Sequence, residues 1–235
     1  MNVFWDIPYT FSPITHPLHR FDLFVPHRPP QRPVAPLICF VHGGAWRSED
    51  KEEYSDLARS LAVHTSFPVV VPNYQLTKPD HKVQHPAHAQ DILQLLTFLL
   101  SWSGPPECQV IPYDPHRIFL MGHSCSAHML ASILLKSLET SLVPSSALLQ
   151  AVKGVIFSEG IYDIDTLLHS FPTYRDWFIV NTFGDLPTYA QYSVTKAPLR
   201  DGTNHIRWIL IHSRGDTLVD KRQSQAIVEK LGGSR

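Results

Sequence analysis

Short apolar runs recur along the chain, and segments of helical periodicity separate them. The runs at 37–41, 67–71 and 152–157 have the pattern of strands that are buried on both faces of a sheet. Two further runs, at 117–121 and 206–211, are also predicted strands. Because strands that alternate with helices form parallel sheets, we predict an α/β fold with a mostly parallel sheet and helices on both faces.

Helical segments occupy the stretches between these runs. Residues 87–102 are apolar on most sides, which predicts a helix packed against the sheet, and residues 127–138 and 223–231 predict two more. Asp50 followed by Glu53 has the spacing of a capping box, so a helix is expected to begin there.

Two regions depart from this alternation. Residues 11–26 alternate loosely and are interrupted by prolines, which predicts a short antiparallel hairpin. Residues 161–198 are irregular and rich in aromatic side chains, so we predict a lid-like insertion of short helices over a pocket. The aromatic residues of 161–192 would suit a flat aromatic substrate, and plain core packing is the alternative. No internal repeat is present, and residues 1–235 are predicted to form a single domain.

Composition narrows the classes of partner and location. The chain has 43% hydrophobic and 17% charged residues, which is typical of a folded protein. A net charge of -1 without a long basic run argues against nucleic acid and membrane surfaces as partners, and leaves a small-molecule substrate. Residues 1–10 lack a signal-peptide pattern and the three cysteines have no framework spacing, so a cytoplasmic location is expected. The oligomeric state stays open.

The first candidate for chemistry is Gly122-His123-Ser124-Cys125-Ser126, between a predicted strand and a predicted helix. A serine on a sharp strand-to-helix turn is exposed above the sheet as a nucleophile, provided that small residues lie two positions away on either side. Gly122 meets this requirement, and Ser126 stands where a second glycine is usual. An ordinary N-cap serine is the alternative for Ser124.

The second candidate is His42-Gly43-Gly44-Ala45-Trp46, directly after a predicted buried strand. Acyl transfer builds negative charge on a carbonyl oxygen, and each aligned backbone N–H stabilises that charge by roughly 3–4 kcal/mol. Gly44 and Ala45 would donate from this loop and Cys125 from the serine turn. A glycine turn that merely redirects the chain is the alternative.

The third candidate is Asp216, in the turn after the strand predicted at 206–211. In hydrolases with a serine elbow, the order along the chain is serine, then acid, then histidine. Asp163 also follows a predicted strand and is the rival acid, placed second because another strand and turn come after it.

These motifs together resemble the α/β-hydrolase superfamily over the whole chain. The His-Gly-Gly-x-Trp signature at 42–46 is similar to that of kynurenine formamidases and related small-molecule esterases. The resemblance implies Ser124 as nucleophile, Asp216 as acid and the amides of Gly44 and Ala45 in the oxyanion hole, with no cofactor and no metal. It also implies hydrolysis of N-formylkynurenine to kynurenine and formate, a step of tryptophan catabolism.

One feature departs from that pattern: no histidine follows Asp216 in residues 217–235. The resemblance places the catalytic histidine about one strand later, so we expect a C-terminally shortened chain whose last strand and helix are missing. Such a chain is expected to be nearly inactive and prone to aggregate along the exposed strand. Four histidines elsewhere are weak candidates for the base: His42, His123, His128 and His212.

Two other functions are compatible with the same residues. A carboxylesterase for small esters would use identical machinery. A non-catalytic α/β-hydrolase-like binding protein would explain the missing histidine, but it would have no need to keep Ser124, Gly44 and Asp216 together.

Overall fold

The computed structural model describes residues 1–10, 16–27, 34–78, 83–108 and 111–232. A seven-stranded sheet runs through it in the order β1-β2-β4-β3-β5-β6-β7. The strands are β1 (Asn2–Pro8), β2 (Arg20–Val25), β3 (Pro36–Val41), β4 (Val69–Pro72), β5 (Asp114–His123), β6 (Val152–Ser158) and β7 (Arg207–Ile211). The pairs from β4 to β7 are parallel, whereas β1 and β2 pair antiparallel.

Helices cover both faces of this sheet. They are α1 (Ser55–Thr65), α2 (Ala87–Ser101), α3 (Cys125–Leu134), α4 (Ser146–Ala151), α5 (Ile164–Ser170), α6 (Val180–Phe183) and α7 (Lys221–Gly232). In β3, Leu37 and Cys39 point into the larger apolar cluster, while Ile38 and Phe40 join a second cluster beneath α1. This alternation shows why the run at 37–41 is apolar throughout, because each face of the strand meets its own helix layer. The predicted α/β fold is confirmed.

Two predicted elements differ from the structure. The antiparallel hairpin pairs β1 with β2, so its first strand precedes the predicted range 11–26 and only β2 falls within it. Residues 11–15 of the predicted hairpin lie outside the described residues. The capping box at Asp50 and Glu53 is present, but it begins a short 3-10 helix at Lys51–Tyr54 that leads into α1. Polar and half-exposed positions in β1 explain why no apolar run marked it.

The parallel strands set the position of the site. Because β3, β5, β6 and β7 run in one direction, the segments that follow them gather at one edge of the sheet. The segment between β6 and β7 forms short helical pieces, as predicted, and half of its large aromatic side chains are buried. Among the described residues, every helix is too short or too polar to cross a membrane.

Candidate active site

Ser124 occupies the tip of the turn between β5 and α3. Its backbone has φ 55° and ψ -119°, a conformation that non-glycine residues rarely adopt and that costs on the order of 1–3 kcal/mol. The Ser124 N–H donates to the Ser158 carbonyl at 2.9 Å, which fixes the turn to the end of β6. A Cβ on Gly122 would lie 2.9 Å from Leu130 Cδ1 and 3.1 Å from the Ala127 nitrogen, so this position requires glycine.

Ser126 is the departure from the usual second glycine, and its hydroxyl braces the turn. The Oγ accepts from the His123 N–H at 2.7 Å and lies 2.7 Å from the carbonyl of Val41, to which it donates. Its buried position leaves these groups no access to water. The hydroxyl therefore links the serine turn to the end of β3, a contact that glycine could not make.

The segment 42–46 folds into a strained loop beside Ser124. Gly44, Ala45 and Trp46 all have positive φ, at 93°, 51° and 59°. A Cβ on Gly44 would lie 2.1 Å from the Ser48 carbonyl oxygen, and one on Gly43 would lie 3.3 Å from Ser124 Cβ. Both glycines therefore permit a close approach of backbone, and Gly43 lies against Ser124. The approach of Gly44 and Ala45 to Ser124 stays a prediction.

Buried side chains hold this loop from below. The Tyr74 hydroxyl donates to the Gly43 carbonyl at 2.7 Å, and the His42 ring stacks on Tyr74 with centroids 4.5 Å apart. The Trp46 N–H donates to the Cys125 sulfur at 3.3 Å. Burial raises the pKa of the Cys125 thiol to about 12, so the thiol stays neutral and adds no negative charge beside a developing oxyanion.

Asp216 lies in the turn after β7, at the same edge of the sheet as Ser124. One carboxylate oxygen, Oδ1, accepts from the N–H groups of Leu218 at 2.8 Å and Val219 at 3.0 Å. Ser124 and Asp216 follow strands of the same direction, because β5, β6 and β7 pair in parallel. The turn orients the carboxylate while leaving Oδ2 without a hydrogen-bond partner among the described residues.

Asp163, the rival acid, is a structural residue. It caps α5 by accepting from the Thr166 N–H at 2.8 Å, and its other oxygen accepts from the Ser193 hydroxyl at 2.5 Å. Burial opposes its charged form, but these hydrogen bonds outweigh that penalty and lower the pKa of the carboxyl. Both oxygens are engaged, so the geometry favours Asp216.

Glu159 is a site residue that sequence reasoning missed. It follows β6 with φ 48°, and its Oε1 accepts from the Ser213 N–H at 3.0 Å in the acid turn. Its Oε2 lies 3.7 Å from His123 Nδ1 next to the nucleophile. Glu159 therefore joins the serine turn to the acid turn. Its position just after a predicted strand, where site residues of a parallel sheet gather, could have identified it from the sequence.

The candidate histidines are engaged elsewhere. His128 is buried and hydrogen-bonds the Tyr192 carbonyl through Nε2 at 2.8 Å, and His212 pairs with the Ser224 hydroxyl at 2.9 Å. His42 is buried against Tyr74, while His123 faces Glu159. Within the part of the chain that the structure describes, the Ser124 hydroxyl has no hydrogen-bond partner.

A parallel sheet with a strained serine turn, an adjoining glycine loop and an aspartate turn at one edge defines the α/β-hydrolase class. The BD-FAE family model matches residues 21–231, and the chain belongs to that family. The predicted class, an α/β-hydrolase enzyme, is therefore confirmed.

Relatives and solved structures agree with this assignment. The chain is 24% identical to the kynurenine formamidase of Debaryomyces hansenii, over 92% of this chain and 85% of that one. It is 28% identical to the kynurenine formamidase of Scheffersomyces stipitis, over 83% and 77% of the two chains. The crystal structure of esterase B from Lactobacillus rhamnosis superposes with a TM-score of 0.77 and 20% identity, covering 99% of this chain and 71% of that one.

Proposed function

We propose that the chain is a serine hydrolase of small formyl amides and esters, with N-formylkynurenine as its preferred substrate and a role in tryptophan catabolism. The observation that carries the proposal is the backbone of Ser124, strained at the tip of the turn and packed against Gly43. Such strain is maintained where it serves function. The kynurenine formamidases among the relatives support the choice of substrate.

In the proposed reaction the Ser124 oxygen attacks the formyl carbon and loses its proton to a base. The N–H groups of Gly44, Ala45 and Cys125 stabilise the resulting oxyanion. The C–N bond then breaks as the base returns that proton to the nitrogen, which releases the amine, here kynurenine. Water hydrolyses the formyl-serine to formate and free Ser124. Asp216 orients the base, and its anchored carboxylate supports that assignment.

The group that takes the proton from Ser124 is not identified among the described residues. His128 and His212 are hydrogen-bonded elsewhere and His123 faces Glu159, so no histidine is assigned as the base for Ser124. A serine hydroxyl without a base is a weak nucleophile, and binding with the oxyanion hole then supplies the remaining catalysis. We therefore expect slow turnover by the 235-residue chain.

The test compares N-formylkynurenine with p-nitrophenyl acetate for the chain and its Ser124→Ala variant. We expect the formyl amide to be hydrolysed with the higher kcat/KM and Ser124→Ala to abolish both activities. Ser137→Ala, which removes a half-buried hydroxyl just beyond the C-terminal end of α3, is the matched control and should retain activity. Equal rates for the chain and Ser124→Ala would refute the proposed nucleophile.

A second candidate, a carboxylesterase for small esters, is favoured by the structural similarity to esterase B. It uses the same residues and differs in the acyl group. Turnover of the acetate ester without turnover of N-formylkynurenine would select it.

A further inference from the structure

A cavity of about 150 Å³ lies between the C-terminal end of α3 and residues 190–198. It is separate from the serine turn, because Ser132 in its wall is eight residues along α3 from Ser124, or roughly 12 Å of helix. The residues of its wall that bear on ligand binding are His85, Ser132, Lys136, Leu138, Tyr192 and Lys196.

His85 lies at the inner end of the cavity and has no partner for its ring. The residue is 9% exposed, and its imidazole forms no hydrogen bond with any described residue. The ring packs instead against Phe183, Tyr192 and His128, with centroids 5.0, 5.2 and 5.4 Å away. An unpaired buried polar group is costly, and the buried Nδ1 of His85 has no partner among the described residues, so it is available to a polar group of a ligand at this end.

The ring of His85 is neutral. Burial, reinforced by the neighbouring His128 and His88, lowers its pKa well below the ordinary range. A neutral imidazole has one donor and one acceptor nitrogen, so it hydrogen-bonds well to a hydroxyl group. It would bind a carboxylate less well, because a carboxylate at this depth would lose its hydration without gaining a counter-charge.

The outer end of the cavity is exposed and lined by charged side chains, unlike the buried, neutral inner end. Lys136 and Lys196 are exposed there, together with the carboxylate of Glu139 at intermediate exposure. Lys136 pairs at 3.0 Å with Asp201, whose side chain is 97% exposed, and so exposed an ion pair is weak. Lys196 has no ion pair among the described residues. The two lysines and the two carboxylates balance in charge, and the ammonium group of Lys196 is the one left for an acidic ligand.

We propose that this cavity binds a small hydroxylated aromatic acid of the size of hydroxybenzoate. The hydroxyl would hydrogen-bond His85, the ring would pack on Tyr192, and the carboxylate would lie between Lys136 and Lys196. A cavity of roughly 150 Å³ accommodates a benzene ring, which sets the size of the ligand.

Three probes test how each end of the cavity contributes to binding: 4-hydroxybenzoate, benzoate, which lacks the hydroxyl, and phenol, which lacks the carboxylate. Calorimetric titration of the full chain should rank 4-hydroxybenzoate as the tightest. His85→Phe should weaken 4-hydroxybenzoate and phenol about tenfold and leave benzoate unchanged, because one hydrogen bond is lost. Lys196→Gln should weaken the two acids about threefold and leave phenol unchanged.

His85→Gln keeps a hydrogen-bonding group and serves as the second variant if His85→Phe does not fold. It should retain binding of 4-hydroxybenzoate within about threefold. The proposal is overturned if none of the probes binds to the chain at 20 mM (roughly 2 kcal/mol of affinity), or if His85→Phe weakens benzoate as much as 4-hydroxybenzoate.

Discussion

The two halves of the candidate active site are built very differently. The elbow half, formed by residues 42–46 and 122–126, is surrounded by buried groups that hydrogen-bond to its backbone. The acid half, formed by residues 207–219, consists of β7 and the turn after it, and β7 is at the edge of the described sheet. Ile209 and Ile211 in that strand are 53% and 51% exposed, whereas β3 and its apolar side chains are buried.

The elbow half is held rigidly by its surroundings, whereas the acid half is held by fewer contacts and should tolerate substitution better. The strain at Ser124 can persist because the surrounding elbow half fixes the backbone from several directions. Asp216 relies on N–H groups of its own turn and on Glu159, which holds Ser213. We therefore expect substitutions to cost more in the elbow half. The predicted edge position of β7 is confirmed, and its tendency to aggregate stays a prediction.

The largest effect is expected from Gly44→Ala in the elbow half. The new Cβ would meet the Ser48 carbonyl oxygen at 2.1 Å, so the loop must move. Its N–H groups would then leave the oxyanion position proposed for them. We expect kcat/KM for p-nitrophenyl acetate to fall about 10²–10³-fold, as for loss of an oxyanion donor. Gly202→Ala is the matched control, since Gly202 also has positive φ but a Cβ there would contact Gln150 at 3.7 Å. Similar losses in both variants would contradict a local role for Gly44.

The buried histidines beneath the elbow half should make stability depend on pH. Burial lowers the pKa of both His88 and His128 to about 4. Below pH 6.5 the unfolded chain binds protons that the folded chain does not, so their stabilising contribution is present above that pH and is lost as pH falls toward 4. Urea unfolding should show a loss on the order of 2 kcal/mol per histidine between pH 7.5 and 5.0.

The variant that tests this dependence is His88→Gln, which should reduce the change in unfolding free energy with pH. His212→Gln removes a half-buried histidine from the acid half and is the matched control. If His88→Gln and the unsubstituted chain lose the same stability between the two pH values, the assignment to buried histidines is wrong.

Ser126→Ala tests the brace between the serine turn and β3. Removing the hydroxyl leaves the His123 N–H and the Val41 carbonyl without this partner, so the free energy of unfolding should fall by about 2 kcal/mol. Thr97→Ala removes an exposed hydroxyl that bonds within α2 and should change stability by less than about 0.5 kcal/mol. Chemical denaturation measures both, and equal effects would show that Ser126 serves only as a small residue.

The sequence was sufficient to predict those parts of the fold in which an apolar run is followed by a turn of small residues. The runs ending at Val41, Met121 and Ile211 identified the three strands whose following loops form the site. The brace at Ser126 was not predictable, because its partner Val41 is 85 residues away and no pattern marks which carbonyl it meets. Tyr74 was missed for the same reason, since its contact with Gly43 depends on how β3 and β4 pair.

The smallest expected effect is the rate gain from added imidazole, which tests whether Ser124 has a general base. If Ser124 lacks a general base, free imidazole in solution should accept its proton and raise the rate of p-nitrophenyl acetate hydrolysis by the chain. A positioned base contributes about 10²–10⁴-fold, and a diffusing one recovers part of that, so we expect about a tenfold gain at high imidazole concentration. The rate must be corrected for hydrolysis by imidazole alone, and Ser124→Ala should show no gain. A chain that turns over rapidly without imidazole and gains nothing from it would place a histidine of this chain on Ser124. His123 would then be the first to substitute, because its ring lies beside the nucleophile and 3.7 Å from Glu159.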